Sequence, residues 1–270
     1  MNFYSPCQFH FVGRVRPTGC PADIKKFCVL MLTAPAFADL TPADSAKVKA
    51  LFERANAYFK KGNYDKAIED FSVVLKIKPD DIEALYYRGR AYHSKGNYDR
   101  AIENFSSAIK IKPDYQDALV FRGRAYFKKG NYDKAIEDFS VVLKIKPDDI
   151  FTLILRGITY HDSGNYDKAI QDYTVAIKIK PDSRDALYER GFAYYKKGNY
   201  DRAIADYNAI IKIIPNDYEA LYMRGLAYAR KNNYDKAIED FEAVLKIDPN
   251  NAAARENLDK IRQIKAGIEK

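Results

Sequence analysis

Apolar residues recur at steps of three and four through most of the chain, which is the spacing of one face of an α-helix. Leu85, Gly89 and Tyr92 share one such face, and Ala101 and Phe105 begin the next. Short polar breaks rich in Gly, Asn and Asp separate these stretches. Each pair of stretches therefore predicts two amphipathic helices joined by a turn, and the fold class predicted is all-α.

The same helix pair recurs at a constant step of 34 residues, as from Gly62 to Gly96. A fixed period of this size is typical of stacked supersecondary units, because one unit alone leaves an apolar face uncovered. The core is then linear and shared between neighbours. The predicted units are 48–81, 82–115, 116–149, 150–183, 184–217 and 218–251.

Local residue choices predict how each unit turns. Gly96 can adopt the left-handed conformation that ends a first helix, and Asn97 can cap the second helix. Gly89 is small where the paired helices should cross. Asp80 with Glu83 fits a capping box that starts the next first helix.

Around each copy the wider phrase reads L-x2-R-G-x2-Y-x5-Y-x2-A-x3-[FY]-x7-P. This phrase resembles the tetratricopeptide repeat (TPR) family over residues 48–251. The usual Trp and Leu of the motif are Leu and Arg here, and Ala55 replaces Gly in the first copy. The resemblance implies a right-handed α-solenoid of six helix-turn-helix units. Residues 39–47 are a predicted leader, and 252–270 a predicted solvating helix that caps the last unit.

A tyrosine and an arginine recur at the same two positions of every unit, and both are predicted to have structural roles. A tyrosine follows each turn and is expected to pack between the two helices. An arginine in each first helix is expected to reach carbonyls or acidic residues of the neighbouring helix. The turn tyrosines are Tyr64, Tyr98, Tyr132, Tyr166, Tyr200 and Tyr234. The frame arginines are Arg54, Arg88, Arg122, Arg156, Arg190 and Arg224.

The N-terminal segment has the features of a secretory signal peptide, predicted over residues 1–38. Two lysines precede an apolar run that starts at Phe27, and Ala36 and Ala38 form a small-residue cleavage site before Asp39. The run is too short to span a bilayer as a helix. We expect cleavage after Ala38 and a periplasmic protein without a transmembrane segment. The alternatives are a transit peptide or an uncleaved tail, with a cytoplasmic protein if the start or the signal is misread.

Charge and cysteine content change this picture little. Cys7, Cys20 and Cys28 all precede Asp39, so the predicted mature chain has no disulfide and no cysteine metal ligand. The formal charge is +8 for 270 residues, made of interleaved signs. The sequence pI near 9.1 and the aromatic residues beside arginines leave nucleic-acid binding as an alternative. The mixed charge and the predicted export weigh against it.

Catalytic motifs are missing from the sequence. It contains no Gly-rich phosphate loop, no G-x-S-x-G and no H-E-x-x-H, so we predict neither an enzyme nor a cofactor, metal or small-molecule substrate. His93 and His161 lie two units apart, about 20 Å if neighbouring helices stack at about 10 Å. They cannot share a metal, and each is expected to be an exposed groove residue. An enzyme that carries TPRs beside a catalytic domain is a further alternative. It is disfavoured because the segments outside the repeats are too short to form such a domain.

The TPR resemblance implies that the first helices line a concave wall that binds a protein or peptide. The part of this wall in units two and three is basic and aromatic, and the part in units four to six is apolar. This suits a peptide or helix with apolar anchors and an acidic flank. The alternative is that these side chains pack against one another. The predicted groove residues are Phe52, Asn56, Tyr86, Arg90, Arg124, Phe127, Lys128, Phe151, Ile154, Ile158, Tyr188, Phe192, Tyr195, Tyr222 and Leu226.

Overall fold

The computed structural model describes residues 40–268, and the predicted signal peptide lies outside them. Residues 46–270 form one compact unit, which holds the repeats. Residues 40–268 form thirteen α-helices and no strand. The helices are α1 (Pro42–Lys60), α2 (Tyr64–Ile77), α3 (Ile82–Ser94), α4 (Tyr98–Ile111), α5 (Gln116–Lys128), α6 (Tyr132–Ile145), α7 (Ile150–Asp162), α8 (Tyr166–Ile179), α9 (Arg184–Lys196), α10 (Tyr200–Ile213), α11 (Tyr218–Arg230), α12 (Tyr234–Ile247) and α13 (Ala252–Ile268).

The predicted α-solenoid of six helix pairs is confirmed. The odd helices α1 to α11 are the first or A helices of the units, and the even helices α2 to α12 are the B helices. Gly96 ends an A helix at a φ of +76°, as predicted, and Asn232 takes the same role at +60° because asparagine tolerates this region. Asn97 caps α4 as predicted, its Oδ1 accepting from the Arg100 backbone N–H at 3.2 Å.

The start of α3 differs from the prediction by one residue. Asp81, not Asp80, is the capping residue, and its Oδ1 accepts from the Ala84 backbone N–H at 2.9 Å. The path of the backbone sets this choice, because a capping side chain must reach a free amide two or three residues ahead. Asp80 lies in the preceding turn and is exposed.

In units two to six the A and B helices are in close contact through a glycine and a ring. A Cβ added at Gly89 would lie 2.7 Å from Cε1 of Phe105, which is fully buried. Clusters of buried residues continue across unit boundaries, as from Leu85 in α3 to Ala118 in α5. At the far end Leu258 of α13 joins the cluster around Phe241. The core is therefore linear, and α13 covers the open side of the last unit.

The structural prediction for the frame arginines is confirmed in five of the six units. Arg122 donates from Nε and Nη2 to the two carboxylate oxygens of Asp138, at 2.9 and 2.7 Å. The same bidentate pair recurs as Arg54–Asp70, Arg156–Asp172, Arg190–Asp206 and Arg224–Asp240. The second unit differs, because Arg88 donates to the amide oxygen of Asn104 at 2.8 Å and to the hydroxyl of Ser72. Without a carboxylate, burial lowers the pKa of Arg88.

The turn tyrosines pack between helices, as predicted. Tyr98 of α4 contacts the ring of His93 in α3, with 5.3 Å between ring centroids. Tyr64, Tyr132, Tyr166 and Tyr200 make equivalent contacts with Phe59, Phe127, His161 and Tyr195. In the last unit Tyr234 instead donates its hydroxyl to Oδ1 of Asn232.

Candidate functional site

The A helices together form one side of the array, here called the A-helix wall. Successive A helices contact each other at α3–α5, α7–α9 and α9–α11. No pair of successive B helices in residues 40–268 packs as closely. The A side of the array is therefore the more crowded, inner side. The predicted groove residues all belong to these A helices.

The first half of the wall contains a basic cluster, defined as Arg90, Arg124 and Lys128. The guanidinium carbons of Arg90 and Arg124 lie 5.0 and 5.1 Å from the ring centroid of Phe121. Tyr86, only 6% exposed, packs on the same ring at 5.7 Å. Such cation–π contacts hold the cations without neutralising them.

The basic cluster differs from the frame arginines in its partners. Among the residues that the structure describes, no carboxylate lies within ion-pair distance of Arg90, Arg124 or Lys128. The Nε of Arg90 is buried without a hydrogen-bond acceptor. An anionic group of a partner would therefore meet positive charge that the protein itself leaves uncompensated.

The positive charges of the basic cluster also affect the pKa of His93. Burial lowers its pKa to about 4, and Arg124 and Lys128 contribute to the decrease. The imidazole is therefore neutral at pH 7. The prediction that His93 and His161 are exposed is wrong, since both are half-buried. Phe121 covers His93 and Phe192 covers His161, each contributed by the following unit.

An apolar pocket of about 200 Å³ lies between units three and four. Its floor is apolar, and two members of the basic cluster stand at its rim. A partner side chain that is apolar and next to a carboxylate fits this combination. The lining residues are Arg124, Phe127, Lys128, Phe139, Leu155, Ile158 and Thr159.

Most of the remaining predicted groove residues are half-buried and make internal contacts. Tyr188 packs on Tyr207, Tyr195 on Tyr200 and Tyr222 on Phe241, with ring centroids 5.5 to 6.0 Å apart. Phe52 packs on Phe71 and Tyr87, and Asn56, Ile154 and Leu226 are half-buried. Internal packing is therefore part of their role. Phe151 is the contrast, since 56% of its surface is exposed.

Sequence reasoning missed Glu189 in α9. In units two, three, four and six the equivalent residues are Tyr87, Phe121, Leu155 and Met223. Glu189 is half-buried, and burial raises its pKa to about 7, with the carboxylates of Asp162 and Asp185 adding to the rise. The signal was present in the sequence, because the 34-residue register places a carboxylate at a position that is otherwise apolar between neighbouring units.

Residues 40–268 lack two features, a metal-binding cluster and a membrane-spanning helix. No group of three or more His, Cys, Asp or Glu side chains there is arranged to hold a metal ion. None of the helices in that range is both long and apolar enough to cross a bilayer.

Family models agree with this architecture. A model described as TPR repeat matches residues 55–96 and 157–198. Two models described as tetratricopeptide repeat match residues 86–150, and 185–217 with 218–251. The chain belongs to the tetratricopeptide repeat family. Among curated proteins, no sequence matches this TPR chain.

Several solved structures are similar to this chain in fold. A crystal structure of MamA protein is 26% identical, with a TM-score of 0.58, covering 64% of this chain and 94% of that chain. A tetratricopeptide repeat protein from Parabacteroides merdae is 19% identical, with a TM-score of 0.64 and coverage of 80% and 99%. YrrB, described as a TPR protein with an unusual peptide-binding site, is 20% identical, with a TM-score of 0.59 and coverage of 71% and 98%. At 19% and 20% identity, the last two structures show similarity of fold alone.

Proposed function

We propose that this TPR protein is a non-enzymatic adaptor that holds a peptide or helix of a partner protein on the A-helix wall. The TPR fold itself supports a protein–protein interaction scaffold. The observation that carries the finer proposal is the uncompensated charge of the basic cluster beside an apolar pocket. The frame arginines, by contrast, already have carboxylate partners within the protein.

The basic cluster supports a partner with an acidic flank. Arg90 and Arg124 are held against Phe121, so little side-chain entropy is lost when a carboxylate pairs with them. Lys128 is exposed at the rim of the apolar pocket and adds a third cation. A salt-sensitive encounter followed by apolar docking is the expected binding mode.

The apolar half supports the hydrophobic anchors. Phe151 is largely exposed near the start of α7, and Ile154, Ile158 and Phe192 offer partly exposed surface farther along the wall. A second pocket of about 250 Å³ involves Tyr188 and Tyr222. Exposed apolar surface of this kind marks interaction sites in soluble proteins. The description of YrrB as peptide-binding is consistent with such a use of the fold.

Binding by defined peptides tests the proposal. Twelve-residue peptides selected by display on the folded protein should be enriched in acidic and apolar residues. Their affinity, measured by fluorescence anisotropy, should fall about tenfold for Phe151→Ala and for Arg124→Gln with Lys128→Gln. Val175→Ala is the matched control, because Val175 is an exposed apolar residue on the B helix α8. Selection of no peptide, or an equal loss in the control, would contradict the proposal.

We also propose that residues 1–38 direct export to the periplasm and are removed after Ala38. The support is the sequence pattern alone, two lysines followed by an apolar run and a small-residue site. Mass spectrometry of the protein from its native cells should find Asp39 as the first residue. An intact N-terminus would instead favour an intracellular scaffold or a weak nucleic-acid binder, and binding that falls steeply with added salt would favour the latter.

A further inference from the structure

The 34-residue period allows the pockets of the A-helix wall to be compared position by position. The apolar pocket between units three and four contains Phe139, Leu155 and the rim residue Lys128. One unit farther along, the equivalent residues are Tyr173, Glu189 and Asp162. We call this second set, between units four and five, the acidic subsite. A step of one unit therefore replaces Lys128 and Leu155 by carboxylates and Phe139 by a phenol.

The Glu189 carboxyl group of the acidic subsite has no hydrogen-bond or ion-pair partner in the described part of the chain. The cation that favours its ionised form is Arg184, whose guanidinium is already bound to Asp217 and Glu219. Burial and the Asp162 carboxylate both disfavour the ionised form. An apolar residue at this position would fit the fold better, as it does in the other inner units. A carboxylate that costs stability where the frame does not need it indicates a binding role.

A second observation points to a ligand at the same place. The hydroxyl of Tyr173 is buried without a hydrogen-bond partner, and the side chain is fully buried. Burial raises the pKa of Tyr173, and the carboxylates of Glu189 and then Asp162 raise it further. The Nε2 of His161 is likewise buried and unsatisfied, while its Nδ1 lies 3.0 Å from Asp162.

The chemistry of this set selects the ligand. Two carboxylates, a phenol oxygen and an imidazole match the hydrogen-bond donors of an ammonium or guanidinium group. A bare metal ion fits less well, because the residues 40–268 contain no three-ligand set with metal-binding geometry. We propose that the acidic subsite binds a lysine or arginine side chain of the same partner segment whose acidic flank meets the basic cluster. This inference rests on the proposed function of the A-helix wall.

The geometry of the array then sets the spacing of charges in the partner. Adjacent units are about 10 Å apart, the usual distance between packed helices. In an extended peptide this distance is about three residues, and in a helix about seven. The partner segment should therefore carry an acidic residue and a basic residue about three or seven positions apart, with apolar residues beside them. Its direction along the wall is fixed by the order of the two subsites.

Synthetic peptides of defined pattern test this inference. The probes are fluorescein-labelled dodecapeptides with apolar anchors, a glutamate, and a lysine three or seven residues away. Each has a twin in which norleucine replaces the lysine, which keeps the four-carbon chain and removes the ammonium group. Affinities are measured by anisotropy on the full chain, on Glu189→Gln and on Phe151→Ala. Glu53→Gln is the matched control, because Glu53 is the exposed equivalent of Glu189 in the first unit.

We expect one lysine peptide to bind about tenfold or more tightly than its norleucine twin, the gain typical of a charge-assisted hydrogen bond. The difference should vanish on Glu189→Gln and persist on Glu53→Gln. If the twins bind the unmodified chain equally, and both weaken on Phe151→Ala, the acidic subsite is refuted while the proposed function stands. If none of the dodecapeptides binds, both are refuted.

Discussion

At the residue scale, Glu189 is where one unit departs from its neighbours at a cost to the fold. Its pKa near 7 lies above the ordinary value of 4.5 because burial disfavours the carboxylate. The folded protein then holds this proton more tightly than the unfolded chain does. The side chain therefore favours folding below about pH 4.5, and this contribution is lost as the pH rises through 7.

Glu189→Gln should remove this pH dependence. At pH 8 the variant should be more stable than the original chain by about 2 kcal/mol, because a neutral amide replaces a buried carboxylate. At pH 4 the two proteins should unfold at nearly the same urea concentration. Urea titrations followed by circular dichroism between pH 4 and 8 measure the difference. Parallel stability curves over this range would show that the Glu189 carboxylate is not disfavoured in the folded protein.

The Arg–Asp pairs lead to a second prediction at this scale. Asp138→Asn removes the charge that binds Arg122, and should lower the free energy of unfolding by about 2 kcal/mol, since both groups are largely buried. Asn104→Asp is the matched change in the opposite direction, because it supplies Arg88 with the carboxylate found in the other units. Chemical denaturation of both variants should give free-energy changes of opposite sign. Equal effects would mean that the pair is not the stabilising unit.

The role of a single residue could be predicted from the sequence where the residue recurs in every unit. It could not be predicted where the contacts of the residue depend on a side chain of the next unit. The frame arginines and turn tyrosines were predicted correctly in five of the six units, because their main partners lie in the same unit at a fixed spacing. His93 and His161 were expected to be exposed, whereas Phe121 and Phe192 cover them. The identity of a covering side chain is set one unit away, and a periodic pattern does not show which contacts it makes.

At the element scale, lysines at the ends of A helices, and of α13, pair with aspartates in the first turn of the preceding B helices. The pairs are Lys95–Asp65, Lys129–Asp99, Lys197–Asp167, Lys231–Asp201 and Lys265–Asp235. The fourth unit breaks the series, because Ser163 occupies the lysine position opposite Asp133. The junction of units three and four therefore lacks one exposed ion pair, and units on either side of it bear the two charged subsites.

Ser163→Lys should complete the series and stabilise the protein slightly. The expected gain is about 0.5 kcal/mol at low salt, as is usual for an exposed ion pair, and it should disappear near 1 M salt through screening. Thermal unfolding at both salt concentrations measures it, with Ser163→Ala as the control for loss of the serine. A gain that is independent of salt would point to helix propensity instead of the ion pair.

Helix number, order and turn chemistry follow from the sequence because each turn carries its own signal. Gly96 and Asn97 mark one turn unambiguously, since few other residues satisfy both backbone requirements. The start of α3 was misplaced by one residue because two adjacent aspartates, Asp80 and Asp81, can both act as caps. Only the path of the backbone decides which of them reaches the free amide.

At the scale of the whole molecule, the array is a linear core with different chemistry along one side. The period of 34 residues predicts the stacking, and the cap formed by Leu258 and Ile261 of α13 follows from their helical spacing. The A-helix wall is less predictable. Several residues expected to face a partner, such as Tyr86, are mostly taken up by internal packing. The order of basic cluster, apolar pocket and acidic subsite emerges only when the units are placed in register.

Photocrosslinking to a defined peptide is the most direct test that the A-helix wall is the binding surface. p-Benzoylphenylalanine is placed at position 151 on the A helix α7, or at position 175 on the B helix α8, both exposed apolar sites. The probe is the tightest-binding glutamate–lysine dodecapeptide. We predict a crosslinked product from position 151 and none from position 175. Crosslinking from position 175, with none from position 151, would contradict the account.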